Sequence, residues 1–254
     1  MAEVHLVRLI LDHRELLRVA VRHRLGGSAD DGALLHAGLS VMFATSTARA
    51  TVPLHTYAVD DFRMAAANGR DELCLLAYSS FDEHALLSRM GPGAGRLLRE
   101  CKTRSMPAFE IGDRLGFRAR VCPVVRTRRP GSRPLNADAE GRVISREVDA
   151  FVHATLASDA QVDRERVYVQ WIQRELGRDD ASSLDAARLE EFRREQVRRS
   201  SGGRLERPNA VMQGVLTVRA ADAFRQLLVR GLGRHRAFGF GMLLLTPAGR
   251  QAEG

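Results

Sequence analysis

The sequence predicts an α+β fold built from two tandem ferredoxin-like units, each running β-α-β-β-α-β, a pattern also used by RNA-recognition modules. Three observations predict it. The chain has 254 residues, long for one domain of roughly 100–150 residues and comfortable for two. Short apolar runs with strand-like spacing alternate with stretches carrying a helical stripe. Glycine, proline and asparagine separate these stretches at turn-like intervals. We place the units at 1–105 and 106–254, the second carrying a basic loop and a glycine-rich loop.

In the first unit, VHLVRLIL (4–11) reads as a buried strand, and RELLRVAVRHR (14–24) as helical or irregular and strongly basic. GGSADDG (26–32) is a loop ending at a helix start, where Asp30 or Asp31 can cap free N–H groups. Leu35, Leu39 and Met42 follow at i, i+4 and i+7, a core-facing stripe. HTYAVDDF (55–62) and DELCLLAYSS (71–80) read as strands joined around the turn dipeptide Asn68-Gly69. DEHALLSRM (82–90) reads as a helix with an acidic cap, and GRLLRECKT (95–103) as the fourth strand.

In the second unit, DRLGFRARVCPVV (113–125) alternates apolar residues with arginine, as a half-exposed strand does. RTRRPGSRP (126–134) is a basic loop. ERVYVQWIQREL (165–176) and SLDAARLEEFRREQVRRS (183–200) read as helices, the latter charged nearly all round and solvent-facing. AVMQGVLTVRA (210–220) reads as a strand, ADAFRQLLVRGL (221–232) as a helix and AFGFGMLLLTP (237–247) as the last strand. That repeats strand, helix, strand, helix, strand, with one strand of the second unit hard to place.

Charge narrows the function. The net charge is +8, and Lys102 is the only lysine, so 38 of the 39 basic side chains are arginine. Guanidinium forks suit phosphates and base edges, and they stack on bases. A basic surplus of this kind points to a polyanionic partner, nucleic acid first. No apolar run approaches the ~20 residues of a membrane span, and the start reads as a strand rather than a signal peptide. Cys74, Cys101 and Cys122 are too scattered for a zinc site and too few for a disulfide framework. A reducing cytoplasm is the expected setting. No metal cluster is visible, and no cofactor is expected.

GLGRHRAFGFG (231–241) is the most distinctive stretch. Its glycines stand at 231, 233, 239 and 241, with Arg234, His235 and Arg236 between them. On the strand expected at 237–247, Gly239 and Gly241 would share one face and open a strip of backbone to close approach. Gly231 and Gly233 would suit a left-handed helix end. Such a turn can cradle an anion, or it can simply be tight. It is not a Walker loop, which ends in Gly-Lys-Ser/Thr, and its helix-before-strand order is the reverse of the dinucleotide fingerprint.

The register G-h-G-x-x-x-x-x-G-h-G, with h apolar, resembles the C-terminal glycine-rich loop of the repeat-associated RNA-binding proteins of CRISPR systems. GVLTVRAADAFRQLLVRGLGRHRAFGFGMLLLTP (214–247) is similar to the end of the CasE-type repeat endoribonucleases of type I-E systems. FEIGDRLGFRARVCPVVRT (109–127) is similar to a further stretch of that family, and Trp171 falls where it often carries a Tyr/Trp-rich helix. The type IV systems have a diverged version with which an arginine-rich first half is compatible. The resemblance implies two ferredoxin-like folds that bind the hairpin of CRISPR repeat RNA. It implies a metal-independent cut at the 3′ base of that hairpin, and retention of the guide RNA within a Cascade-like effector complex.

Metal-free cleavage uses the RNA's own 2′-hydroxyl as nucleophile. It needs a base, an acid for the 5′-oxygen and cations for the phosphorane, and it leaves a 2′,3′-cyclic phosphate. The resemblance points to a histidine near the start of the first helix, a place held by His36. A helix start favours the neutral imidazole there, although an exposed histidine without a role fits the same position. His23, between Arg22 and Arg24, is the next candidate. Arginines acting electrostatically are the other route to a slow single-turnover cut. For RNA binding we expect three groups: Arg126, Arg128, Arg129 and Arg133 in the basic loop; Arg99, Lys102 and Arg104 near the domain junction; and Gly231, Gly233, Arg234, His235, Arg236, Gly239 and Gly241 in the glycine segment. A catalytically inert RNA-binding subunit, or an unrelated protein holding a small anion, would use the same surfaces.

Overall fold

A computed structural model describes residues 3–23, 31–44, 52–60, 71–127, 146–198 and 204–248. Strand β1 (His5–Asp12) lies inside the first sheet because alternate residues Val7, Leu9 and Leu11 are apolar and buried. It pairs antiparallel with β3 (Glu72–Ser79) on one side and β4 (Leu98–Ser105) on the other. β2 (Thr56–Asp60) adds outside β3, so the order is β2-β3-β1-β4. Helix α1 (His13–Arg22) begins where Asp12 ends β1, its carboxylate accepting from Glu15 N at 2.9 Å. In α2 (Asp31–Met42) the expected stripe of Leu35, Leu39 and Met42 is buried against the sheet. Two short helices, α3 (Glu83–Leu87) and α4 (Ala94–Leu97), complete this layer. Asp82 caps α3 through Ala85 N at 2.8 Å.

The second sheet has β5 (Arg114–Val121) inside, between β10 (Leu244–Pro247) and β9 (Arg204–Val218), with β8 (Ser182–Arg198) beyond β9. Its order β10-β5-β9-β8 is, counted within each half, the order of the first sheet. Both halves are therefore ferredoxin-like. Helices α5 (Ala150–Leu156), α6 (Arg164–Leu176) and α7 (Ala221–Arg230) complete the second half. A small ladder of β6 (Val124–Thr127) and β7 (Arg146–Asp149) brackets the basic loop. Residues 128–134 of that loop and the Asn68-Gly69 turn lie outside the described residues.

The structure corrects the expected helix at 183–200. The stretch is β8, the strand of the second unit that is hard to place from sequence. Two register shifts, at Leu184/Ala186 and Leu189/Glu191, each insert a residue into the ladder. The core-side residues Leu184, Ala187, Leu189 and Phe192 are thus spaced three, two and three apart. Bulges therefore stretch a period of two towards a helical one. The interleaved charges are answered across strands: Arg114 by Asp185 at 3.0 Å, Arg118 by Glu190 at 2.8 Å.

Three smaller corrections follow. The expected strand at 113–125 is split at Cys122-Pro123, where proline has no N–H for the ladder, and β6 leaves for its own partner. Helix 221–232 stops at Arg230, and Gly231 follows at φ 68°, ψ 179°, outside the left-handed helical region. The expected strand at 237–247 is confined to Leu244–Pro247. A 3-10 turn at Arg236–Phe238 precedes it, and Gly239 and Gly241, at φ 79° and 86°, share no strand face.

The halves are joined by an apolar interface. The face of the first sheet that α1 and α2 leave open contributes Ala58 and Tyr78 to the hydrophobic cluster of the second half. Tyr78 Oη donates to Leu243 O at 2.8 Å, and Thr56 Oγ1 to Leu228 O at 3.2 Å. This docking sets α2 and β2 opposite α7 and the glycine segment.

Candidate functional site

The glycine segment is shaped by contact with the rest of the protein. Leu232 N donates to Gly241 O at 2.8 Å, and Gly241 N to Arg120 O at 2.7 Å, so the two ends of the segment cross face to face. A Cβ on Gly241 would overlap Leu232 O, and one on Gly231 would overlap Thr56 and approach Gly241 O at 2.8 Å. With positive φ at both, only glycine fits without strain. Gly231, Gly239 and Gly241 are buried. What the crossing leaves exposed is its tip, at Arg234, Arg236 and Ala237, with His235 half-buried between them.

Neighbouring elements hold that tip. Glu147 on β7 accepts from His235 Nε2 at 2.8 Å and forms an ion pair with Arg234. Glu175 on α6 accepts from Gly233 N at 3.1 Å. Tyr57 Oη donates to Ala237 O. His235 sits at φ 64°; burial, then the charge of Arg207, holds its imidazole below its ordinary pKa. Burial works to raise Glu147, but His235 and Arg234 overcome it and hold the carboxyl below its usual range. Trp171 anchors the same region, its Nε1 donating to Val124 O at 3.3 Å while its ring fills the space beside Gly233.

A cleft of about 1270 Å³ opens between the halves. Its first wall carries His36 and Ser40 from α2, His55 at the start of β2, and Ser80. Its second wall carries Arg225 and Arg230 from α7 with Arg234, His235 and Arg236 from the tip. Leu39, Leu54, Tyr57 and Val229 give it apolar lining. Among the described residues no carboxylate lines it. Arg230 is paired with Asp179 at 2.5 Å and Arg234 with Glu147, whereas Arg225 and Arg236 have no ion pair among the described residues. His55 Nε2 lies 2.8 Å from Ser80 Oγ. Burial first, and the charge of Arg236 second, hold its pKa below 6.5 and favour the neutral imidazole. His36 is exposed, and its ring stands 5.6 Å from that of Phe238. Two imidazoles facing guanidiniums that have no ion pair among the described residues, although Arg236 Nη1 donates to Arg230 O, can move protons and stabilise a phosphate in one place.

Of the residues expected from sequence, the cleft gathers His36, Gly233, Arg234, His235 and Arg236. His23 and Arg22 end α1 on an exposed surface away from it, and Arg24 lies outside the described residues. Arg99 is paired with Asp12, Lys102 with Glu83 at 3.4 Å, and Arg104 is exposed on β4; none of the three lines the cleft. Arg126 is exposed on β6, opposite Glu147 in the ladder, while Arg128, Arg129 and Arg133 lie outside the described residues. Sequence reading missed His55, Ser80, Arg225 and Glu147. The spacing of Arg225, Gln226, Val229 and Arg230 on one face of α7 was a usable signal. For His55 and Glu147 there was none, because their neighbours are remote in sequence.

Among the described residues no helix is long and apolar enough to cross a membrane. The family model described as CRISPR associated protein matches residues 4–247. No curated protein matches by sequence. Among solved structures, Thermus thermophilus Cse3 bound to an RNA representing a pre-cleavage complex is 20% identical, covering 96% of this chain and 100% of that one, with a TM-score of 0.58. The CRISPR-associated protein Cas6e from Escherichia coli str. K-12 is 18% identical, covering 96% and 99%, with a TM-score of 0.57. A chain of a CRISPR RNA-guided surveillance complex is 15% identical, covering 96% and 99%, with a TM-score of 0.51. At these identities the likeness is one of fold.

Proposed function

The chain belongs to the CRISPR-associated protein family, and from that premise we propose that it is the endoribonuclease that matures guide RNA from CRISPR repeat transcripts. The hairpin of the repeat binds across the basic cleft, one phosphodiester at its 3′ base is cut, and the product stays bound as the chain joins a Cascade-like effector complex. One observation carries this reading: His36 and His55 share with Arg225 and Arg236 a cleft that no carboxylate lines among the described residues, in a fold also found in an RNA-bound Cse3 and in an RNA-guided surveillance complex.

The chemistry runs on the RNA's own 2′-hydroxyl. His36, exposed on the first wall, takes its proton as the oxygen attacks the adjacent phosphorus. The P–O5′ bond breaks, the 5′-oxygen takes a proton from water, the proton held by His36 returns to solvent, and the products are a 2′,3′-cyclic phosphate and a 5′-hydroxyl. His55 is the second imidazole; held neutral, it suits accepting a proton or a hydrogen bond from the attacking side. Arg225 and Arg236 stabilise the charge that grows on the phosphorane. The basic loop with Arg126, Arg128, Arg129 and Arg133, the β4 cations Arg99, Lys102 and Arg104, and the glycine-segment tip extend the contact to the phosphates of the stem. The buried glycines serve by letting the tip fold. A-form RNA is read mainly by shape, phosphates and 2′-hydroxyls, so binding weakens steeply with salt.

The test is incubation with end-labelled hairpin repeat RNA in EDTA. A single cut that leaves a cyclic phosphate is expected. Tight, salt-sensitive binding without a cut would make the chain a binding subunit instead, and no binding would end the RNA reading.

A further inference from the structure

Arg207, on β9, is unlike the other cations around the glycine segment. Its Nε and Nη1 are buried and have no hydrogen-bond acceptor among the described residues. Its cross-strand neighbour is Glu195, but that carboxylate is already engaged by Arg120 Nη2 at 2.9 Å and Asn209 Nδ2 at 3.2 Å. The buried donors of Arg120 and Arg164 are answered: Arg120 by Glu195 and Asn209, Arg164 by Asp149 at 3.3 Å. Arg230 leaves Nε unpaired too, yet its Nη1 reaches Asp179. A buried cation without a partner is costly to keep.

Its surroundings point towards the reaction. The Arg207 guanidinium lies 5.4 Å from the centroid of Phe238, the same ring that stands 5.6 Å from His36. Arg207 on the second half and His36 on the first thus share one aromatic neighbour. Its charge also reaches His235, where it adds to burial in lowering that imidazole. Among the described residues its cross-strand carboxylate, Glu195, is already shared by Arg120 and Asn209, and a guanidinium fork with two donors unanswered there matches the paired oxygens of a phosphodiester.

We propose that Arg207 is the receptor for a backbone phosphate of bound RNA, seated beside Phe238, the ring that His36 also neighbours. The inference rests on the RNA reading for its ligand, and the shared chemistry is a phosphate group. Occupation of Arg207 completes its hydrogen bonds and holds the RNA strand next to the aromatic ring that His36 neighbours.

The test is Arg207→Met, which keeps an unbranched stem against Phe238 and removes the charge. Against hairpin RNA, affinity is expected to fall about tenfold, and the slope of log K against log salt to drop by about 1. The free variant is expected to melt about 2–4 °C higher than the parent, because an unanswered buried charge is gone. Inorganic phosphate alone is expected to raise the melting temperature of the parent and not of the variant. Unchanged RNA affinity and salt slope, or a lower melting temperature of the free variant, would overturn the proposal. If the parent binds no RNA but phosphate still stabilises it through Arg207, the RNA reading falls and the phosphate site stands. If neither ligand acts through Arg207, the site itself is refuted.

Discussion

The two sheets of this molecule share one strand order and are written in sequence in different ways. In the first, a strand such as β1 alternates buried Val7, Leu9 and Leu11 with half-buried or exposed neighbours, and the period of two is plain. In the second, β8 is 17 residues long, charged on its outer side and broken by two register shifts. Its neighbours supply the counter-charges from other strands, so along the chain it looks like a solvated helix. A common topology thus constrains the pattern of hydrogen bonds and the core-side residues. It does not require that the core-side residues keep a regular spacing.

The walls of the cleft differ in the same way, and variants can break or sharpen that difference. The largest effect is expected on the first wall. His36→Ala should lower the single-turnover cleavage rate by about 10²–10⁴-fold, the range for a lost general base, while His23→Ala, outside the cleft, changes it less than about twofold. Equal effects, or undiminished cutting by His36→Ala, would remove the base from α2.

On the second wall the expected loss is in folding. Gly241→Ala forces a Cβ into Leu232 O at φ 86°, and destabilisation of about 3 kcal/mol or more is expected in urea. Gly95→Ala is its counterpart in the first half, on a helical turn with nothing within 4 Å of the new Cβ; stability unchanged or raised by about 0.5 kcal/mol is expected there. If the two variants behave alike, the glycines of the segment are not held by close approach.

Acid should act at the boundary between the halves. His55 and His235 are held below 6.5 in the folded protein, mainly by burial. The unfolded chain therefore binds more protons as pH falls below 6.5, and stability present above that pH is lost towards the folded values. The urea midpoint should fall from pH 7 to pH 5, and His55→Gln should flatten part of that fall. An unaltered profile would show that the imidazole of His55 is not kept neutral by its site.

The smallest effect tests β8 itself. A double-mutant cycle on Arg118 and Glu190 should give a coupling of about 0.2–1 kcal/mol, as exposed cross-strand ion pairs do. Zero coupling between these residues, 72 apart in sequence, would weaken the ladder register of β8.

Much of the first half was legible because its signals are local. Strand alternation, the Leu35-Leu39-Met42 stripe and the Asp82 cap each operate within one or two turns of chain. Charge and the register of Gly231, Gly233, Gly239 and Gly241 were equally open to reading, and they led to an RNA partner and to the family. The register did not reveal that Gly231, Gly239 and Gly241 are buried where the two ends of the segment cross rather than laid along a strand. That depends on Thr56, Arg120 and Trp171, which come from three other elements.

The sequence by itself determined the periodicities, the caps, the basic surplus and the glycine spacing, since each is a property of neighbours along the chain. The tertiary structure alone decided that 183–198 is a strand, that His55 joins His36 opposite Arg225 and Arg236, that Glu147 ties down His235, and that Arg207 is left unanswered. The cleft arises from docking two sheets through Tyr78, Thr56 and Ala58, which brings together residues more than a hundred positions apart; the other three come from long-range pairing within the second half. Local spacing has no means of encoding which carboxylate a distant arginine will find.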